Sequence, residues 1–238
     1  MEASGMCHSD HHLVTGGIPM GGFPVLGGHE GAGIVTEVGP GVEGIEPGDH
    51  VVLSFIPSCG SCPSCQAGLR NLCDLGAGLL GGQAVSDGTF RIQAKGQNVF
   101  PMTLLGTFSP YMVVHKSSVV KIDKSIPFEV ACLVGCGVTT GYGSAVRAGD
   151  IRPGDDVAVI GVGGVGMAAL QGAVNAGARH IFVVDPVDLG LAPAIIENMI
   201  AAFAQLKAGG TTIVLVEQNL SFARRLGDHV AVMDNGRV

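Results

Sequence analysis

The sequence predicts an α/β fold in three segments, and two changes of pattern along the chain predict it. Up to about residue 138, short apolar runs are cut by Gly, Pro and Asp, as in a partly barrel-like domain of short β-strands. From about 139 to 187 the pattern becomes strand, glycine turn, helix, strand, which is one β-α-β unit of a parallel sheet. The remainder, 188–238, alternates helix and strand again and reads as an α/β tail.

In the first segment, strands are expected at Gly33–Val38, His50–Leu53 and Tyr111–Val114. In the second, Val157–Ile160 and Ile181–Val184 read as strands and Met167–Ala176 as the helix between them. In the tail, Ile195, Ile196, Met199, Ile200, Phe203 and Leu206 recur at helical spacing, and Gly209-Gly210 ends that helix. Thr211–Val216 is a β-branched strand, Ser221–Leu226 a short helix, His229–Met233 a strand, and Asp234-Asn235-Gly236 a turn.

Composition narrows the function classes. A chain of 238 residues with 47% apolar and 14% charged residues builds a sizeable core and is not a disordered segment. Its net charge of −7, with no Lys/Arg run, argues against nucleic acid as a partner. Met1-Glu2-Ala3-Ser4-Gly5 has neither the basic residues nor the apolar core of a signal peptide. The most apolar stretch, Val157–Val174, is broken by glycines, so no membrane span is expected. Seven cysteines, odd in number and clustered, point to metal ligands in a cytoplasmic protein instead of a disulfide framework.

Cys59, Cys62, Cys65 and Cys73 follow C-x2-C-x2-C-x7-C. Four thiolates on short loops close a tetrahedral, water-excluding zinc site. An iron–sulfur cluster uses similar donors, although no Pro follows the last cysteine as in the bacterial ferredoxin run. Pro57, Gly60, Ser61, Pro63 and Ser64 are turn formers, which makes four unrelated core thiols a poor explanation.

A second constellation begins at Gly28-His29-Glu30, in a run G-H-E-x-x-G-x5-G-x2-V that continues through Gly33, Gly39 and Val42. Cys7, Ser9, Asp10 and His12 lie upstream, and Cys136 far downstream. Over Met1 to about Val187 the chain resembles the zinc-dependent medium-chain alcohol dehydrogenases. The resemblance implies a GroES-like catalytic domain over 1–138, without its early strands, and the first β-α-β unit of a Rossmann domain over 139–187. It places Cys7, His29 and Cys136 as ligands of a catalytic zinc with one open position, a set that lowers the pKa of a bound alcohol. Glu30 would stand beside the metal, and Asp10 would accept a hydrogen bond from the His29 ring and fix its tautomer. Ser9 and His12 match the family's proton relay. Cys132 has no role and reads as a buried apolar thiol.

Gly161, Gly163, Gly164 and Gly166 form a G-x-G-x-x-G run between a strand and a helix, the context in which such glycines bring backbone and helix N-terminus to a dinucleotide pyrophosphate. Asp185 ends the next strand, where a carboxylate binds ribose hydroxyls and favours NAD over NADP. By the resemblance, Thr140 lies near the nicotinamide and His8 near the pyrophosphate. In detail the first segment most resembles the NDMA-dependent nicotinoprotein branch.

After Val187 the pattern departs. Leu189–Pro193, Thr211–Asn219 and Asn235–Val238 resemble the C-terminal part of ABC transporter ATP-binding subunits of the branched-chain amino-acid type. That resemblance makes Asp188–Leu191 a D-loop and puts Gln218 at the switch position, yet no G-x4-G-K-[ST] loop exists and Pro186 stands where a catalytic Glu belongs. The chain thus reads as a hybrid, with strand 211–216 expected to extend the sheet beside Ile181–Val184. Three functions follow: an NAD-linked oxidoreductase of small alcohols or aldehydes, a non-catalytic zinc-binding remnant, and an ATPase-derived module without ATPase activity. Oligomeric state and the identity of the alcohol are left open.

Overall fold

The computed structural model describes residues 1–184, positions 205 and 208, and the strand Thr212–Leu215. Two compact units part after Cys136. Among the described residues no helix is long and apolar enough to cross a membrane.

In chain order the first unit contains β1 (Ala3–Gly5), α1 (His8–Thr15), β2 (Val25–Leu26), β3 (Glu30–Ile34), β4 (His50–Leu53) and α2 (Pro63–Gln66). It continues with β5 (Gln93–Ala94), β6 (Gln97–Asn98), β7 (Phe100–Pro101), β8 (Val119–Lys121) and α3 (Phe128–Ala131). β1, β3, β4 and β8 form one antiparallel sheet in that order, and β2–β7 and β5–β6 are separate two-residue ladders. Val51, Leu53 and Leu105 make one buried cluster, and Ala32, Ala131 and Cys132 another. Burying side chains of the Val/Leu size is worth about 1.5–3 kcal/mol each.

Two expected strands change. The strand expected at Gly33–Val38 runs from Glu30 to Ile34; Val35 still exchanges hydrogen bonds with Asp49 and Gly48, at the turn that precedes β4, and the ladder goes no further. Tyr111–Val114 forms no strand: β4 already has β3 and β8 on its two edges. Its apolar alternation still works, with Met112 and Val114 packed on the core and Tyr111 and Val113 exposed.

The second unit contains α4 (Gly137–Gly143), β9 (Asp156–Ile160), α5 (Gly164–Asn175), β10 (His180–Val184) and β11 (Thr212–Leu215). β9 pairs parallel with β10 and with β11, giving the order β10-β9-β11. The tail strand was expected beside Ile181–Val184; it lies on the other edge of β9, with Thr212 opposite Val157. β9 is the continuous apolar run, Val157 to Ile160 being almost wholly buried. Ladders on both edges pair its backbone over Val157–Ile160, whereas stacking β11 outside β10 would have left this strand as an edge. Val157 and Val159 pack with Ala145, Ala169 and Ala173, whose small side chains let the helices approach closely.

The helix expected at Met167–Ala176 begins earlier, at Gly164, since the turn glycines themselves enter its first turn. Positions 205 and 208 are helical. The rest of the expected tail helix, the segments 221–226 and 229–236, Asp188–Leu191 and Gln218 lie outside the described residues.

Candidate metal centres and cofactor turn

The first cluster is built almost entirely by local turns. Cys62 caps α2 by accepting the Cys65 N–H, and Pro63 occupies the first turn, where its missing donor costs nothing. Backbone N–H groups point at sulfur throughout: Ser61 and Cys62 donate to Cys59 Sγ at 3.5 and 3.3 Å, Cys65 to Cys62 Sγ at 3.4 Å, and Cys59 to Cys73 Sγ at 3.4 Å. Cys59 and Cys65 sulfurs are 4.0 Å apart, those of Cys62 and Cys73 3.9 Å. All four donors lie within 4.8 Å of one another. Hydrogen bonds from the Ser61 hydroxyl and N–H hold the Cys59 thiol below its ordinary pKa, while burial pushes Cys73 up. This donor set fits a soft or borderline dication.

The second cluster is assembled from three distant parts of the first unit: Cys7, His29 with Glu30, and Cys136. Cys7 is the N-cap of α1, and its sulfur accepts the Ser9 N–H at 3.3 Å. Asp10 completes a capping box by accepting the Cys7 N–H at 2.9 Å. The same carboxylate accepts Gly28 N–H at 3.1 Å and stands 3.4 Å from His29 Nδ1, so one side chain positions both metal-facing segments. Gly28 has φ +91, and a Cβ there would run into Thr107 and Phe108. Thr107 N–H and Phe108 N–H donate to the carbonyls of Gly28 and Gly27 at 3.0 and 3.1 Å. The Ser4 hydroxyl donates to the Glu30 carbonyl at 2.8 Å and lies 2.7 Å from the Thr107 hydroxyl. Cys136 follows the 3-10 turn Cys132–Gly135, which packs beneath β3 and β4.

The four donor groups Cys7, His29, Glu30 and Cys136 lie within 4.8 Å of one another, with His29 and Glu30 each 2% exposed. His29 Nε2 is 3.2 Å from Cys7 Sγ. The Cys7 thiol is pulled far below its usual range, first by a hydrogen bond with Cys136 and also by His29 and Ser9, against the opposing effect of burial. Burial opposes a charged His29 ring, yet the Cys7 hydrogen bond and the charges of Cys7, Asp10 and Glu30 raise its pKa on balance. A basic imidazole beside a ready thiolate is a strong donor pair. Two thiolates, one imidazole and one carboxylate in a buried setting match a borderline metal.

The remaining expected residues are placed as follows. Ser9 touches the Cys7 sulfur, while His12 stands one turn along α1, half-buried; among the described residues no hydrogen bond joins Ser9 to His12. His8 is exposed. Thr140 is half-buried on α4 and accepts the Ser144 hydroxyl through its carbonyl at 2.7 Å. Cys132 is 3% exposed, and burial raises its thiol pKa. Thr107 and Ser4, which fix the backbone of the His29 segment, carry no local motif and are not found by spacing.

The glycine run forms a tight turn between β9 and α5. Gly161 has φ +84, and its N–H donates to the Val184 carbonyl at 2.7 Å, tying the turn to the end of β10. A Cβ on Gly166 would collide with the Gly161 carbonyl, whereas one on Gly163 or Gly164 would meet nothing within 4 Å. Gly166 therefore serves packing, and Gly163 and Gly164 leave backbone open to a ligand. Gly163 caps α5 without any side-chain hydrogen bond, which leaves the first N–H groups of a 12-residue helix facing outward. Asp185 lies outside the described residues.

Comparison with known proteins gives this geometry its context. The chain is 82% identical over 188 residues to alcohol dehydrogenase B of Mycobacterium tuberculosis, covering 79% of this chain and 50% of that one. It is 51% identical over 185 residues to an NDMA-dependent alcohol dehydrogenase of Amycolatopsis methanolica, covering 78% and 49%. The chain thus spans about half the length of these relatives. Among solved structures, an alcohol dehydrogenase zinc-binding domain protein from Burkholderia ambifaria superposes with a TM-score of 0.70 at 32% identity, over 91% of this chain and 55% of that one. The alcohol dehydrogenase GroES-like domain matches residues 1–124, more than half of the sequence, and the chain belongs to that family.

Proposed function

We propose that the chain carries the metal and cofactor-entry machinery of a zinc-dependent oxidoreductase acting on small alcohols or aldehydes with NAD. The observation that carries this reading is the convergence of Cys7, His29, Glu30 and Cys136 within 4.8 Å in a buried setting. Cys7, His29 and Cys136 would hold the catalytic zinc, and Cys59, Cys62, Cys65 and Cys73 a structural one. When bound, zinc supplies Lewis-acid polarisation of an alcohol oxygen and NAD supplies a hydride acceptor.

The chain's own residues do the rest. Asp10 orients His29 through Nδ1 and leaves Nε2 for the metal. Glu30 adds a buried negative charge beside the thiolates. Ser9 and His12 would carry the alcohol proton outward, Ser9 from beside the Cys7 sulfur and His12 from the half-exposed face of α1. The open backbone at Gly163 and Gly164, with the uncapped start of α5, suits a pyrophosphate. His8 and Thr140 are assigned to the pyrophosphate and the nicotinamide, and Asp185 to the ribose hydroxyls. In this reading 1–138 is the catalytic domain and 139–187 the cofactor entry. Likeness to the Amycolatopsis enzyme supports a place in the NDMA-dependent branch. The tail from 188 is read as ABC-ATPase-like; without a phosphate loop it brings no ATP chemistry.

The test is metal content followed by cofactor binding. About two zinc ions per chain, a change of nicotinamide fluorescence on adding NADH, and oxidation of a primary alcohol are expected. Two zinc ions without any NADH response would leave a zinc-binding fold with no redox activity. A chain holding only the four-cysteine metal would overturn the catalytic assignment.

A further inference from the structure

Thr107 belongs to none of the motifs above, yet it grips the metal-facing segment on both sides of His29. Its N–H donates to the Gly28 carbonyl at 3.0 Å, just before the imidazole-bearing residue. Its hydroxyl donates to the Glu30 carbonyl at 3.3 Å, just after it. The stretch held between these two carbonyls is His29-Glu30, which supplies two of the four converging donors. The Ser4 hydroxyl, on β1, donates to the same Glu30 carbonyl at 2.8 Å and stands 2.7 Å from the Thr107 hydroxyl. Thr107 is 2% exposed, a setting in which hydrogen bonds are strengthened and their loss is costly. A Cβ on Gly28 would meet the Thr107 hydroxyl and one on Gly31 its methyl, so both glycines make room for this side chain.

The turn that delivers Thr107 is strained. Thr103 and Leu104 have φ 50 and 65, in the left-handed region that residues with a Cβ rarely adopt, and Gly106 follows at 68. Met102 and Leu105, each 1% exposed, anchor this pair in the core from either side. A Cβ on Gly106 would press on Leu26 and Pro101, so the chain passes here with no room to spare. Backbone strain of this kind persists only where the surrounding structure enforces it, and it gathers at functional sites.

We propose that Thr107, with Ser4 as its hydroxyl partner, is a positioning residue of the metal centre. It fixes the backbone from which His29 and Glu30 reach the ion, and so sets the affinity of the Cys7, His29 and Cys136 set for zinc. The role rests on the reading of those three residues as zinc ligands. It complements that of Asp10, which faces the imidazole ring at Nδ1, whereas Thr107 holds the peptides that carry the ring.

The test is chelator titration of the zinc-loaded full chain, in which zinc leaves in two steps. Cys65→Ser, which lacks the loop's ion, assigns them. Thr107→Val keeps the methyl against Gly31 and removes the hydroxyl; zinc affinity at the second cluster should fall about 10–100-fold, with the loop step unmoved. Thr107→Ser keeps the hydroxyl and should hold affinity within about threefold of the unaltered chain. Ser4→Ala, at an exposed position of β1, should weaken the same step about 3–10-fold. A merely structural role would move both steps together, or make Ser as harmful as Val. An unmoved second step in Thr107→Val, or equal losses in the Val and Ser variants, overturns the proposal. Should Thr107→Val fail to fold, Ser4→Ala decides, and unchanged affinity there overturns it. An unaltered chain holding only the loop's ion overturns the zinc reading and this role together; a second ion indifferent to both hydroxyls overturns this role alone.

Discussion

The two thiolate clusters sit in one structural unit and are built by opposite means. Cys59, Cys62, Cys65 and Cys73 come from a single short stretch, held by turn residues and by N–H groups aimed at sulfur. Cys7, His29, Glu30 and Cys136 come from a helix cap, the start of a strand and the end of a 3-10 turn, with sheet packing and Asp10 holding them together. The first cluster rests on short-range turns and N–H···S hydrogen bonds alone; the second rests on the packing of distant elements. Metal removal should therefore disorder the loop and leave the second cluster's framework largely in place.

The largest expected effect follows directly. Cys65→Ser should take away the loop's metal and destabilise the first unit by more than about 4 kcal/mol, the range in which loss of a structural metal falls. Metal analysis should find one ion fewer per chain, and thermal melting a large drop. If the second cluster loses its ion as well, the two sites are not independent and the contrast fails.

Breaking the scaffold should do the converse. Gly28→Val puts a Cβ against Thr107 and Phe108 at a positive φ, at a cost of about 1–3 kcal/mol. The ion at His29 should be lost while the four-cysteine ion stays, which element-by-element metal analysis against a Cys65→Ser sample would show. Asp10→Asn is gentler: it keeps the shape of the cap but removes the negative charge facing His29 Nδ1. Metal affinity at the second cluster should fall about 10–100-fold, read by competition with a chelator, with the loop metal unaffected. An unchanged affinity would mean that packing alone orients the imidazole.

The same contrast decides what could be read from sequence. The four-cysteine loop was legible in full because its geometry is its spacing. The glycine turn was legible for the same reason, but the different duties of Gly166 and Gly163 were not, since only the packing separates them. Cys7, His29 and Cys136 were found through a resemblance, since no local rule joins residues so far apart. Thr107 and Ser4 were missed because their work is to hold the backbone of a distant segment, and hydroxyls carry no spacing signature. The tail strand was recognised as a strand but set beside the wrong neighbour. Its β-branched residues fix its conformation, whereas its partner is fixed by which edge of the sheet most needs covering.

Strand pairing in the second unit gives the smallest effect and the sharpest limit on the comparison. Asp156 opens β9 and His180 opens β10 directly opposite it. The Asp156 carboxylate accepts Arg179 Nε and an Nη at 2.9 and 2.7 Å and stands 2.9 Å from His180 Nδ1. The Arg179 hydrogen bond, with His180, holds its pKa at about 2, below the ordinary 3.8. A depressed carboxylate pKa means that the native state favours the ionised form, so this stabilisation is complete above 3.8 and is lost as pH falls through about 2. Asp156→Asn should therefore lower the melting midpoint slightly at neutral pH, by an amount constant down to about pH 4 and vanishing near pH 2. Added salt should shrink the difference, because the pair is exposed at the strand ends. β9 keeps its buried apolar face and its ladders in the variant, so the sheet should persist. If Asp156→Asn instead unfolds the second unit at neutral pH, charge and not apolar register holds β10 in place, and long-range assembly here rests on a local device after all.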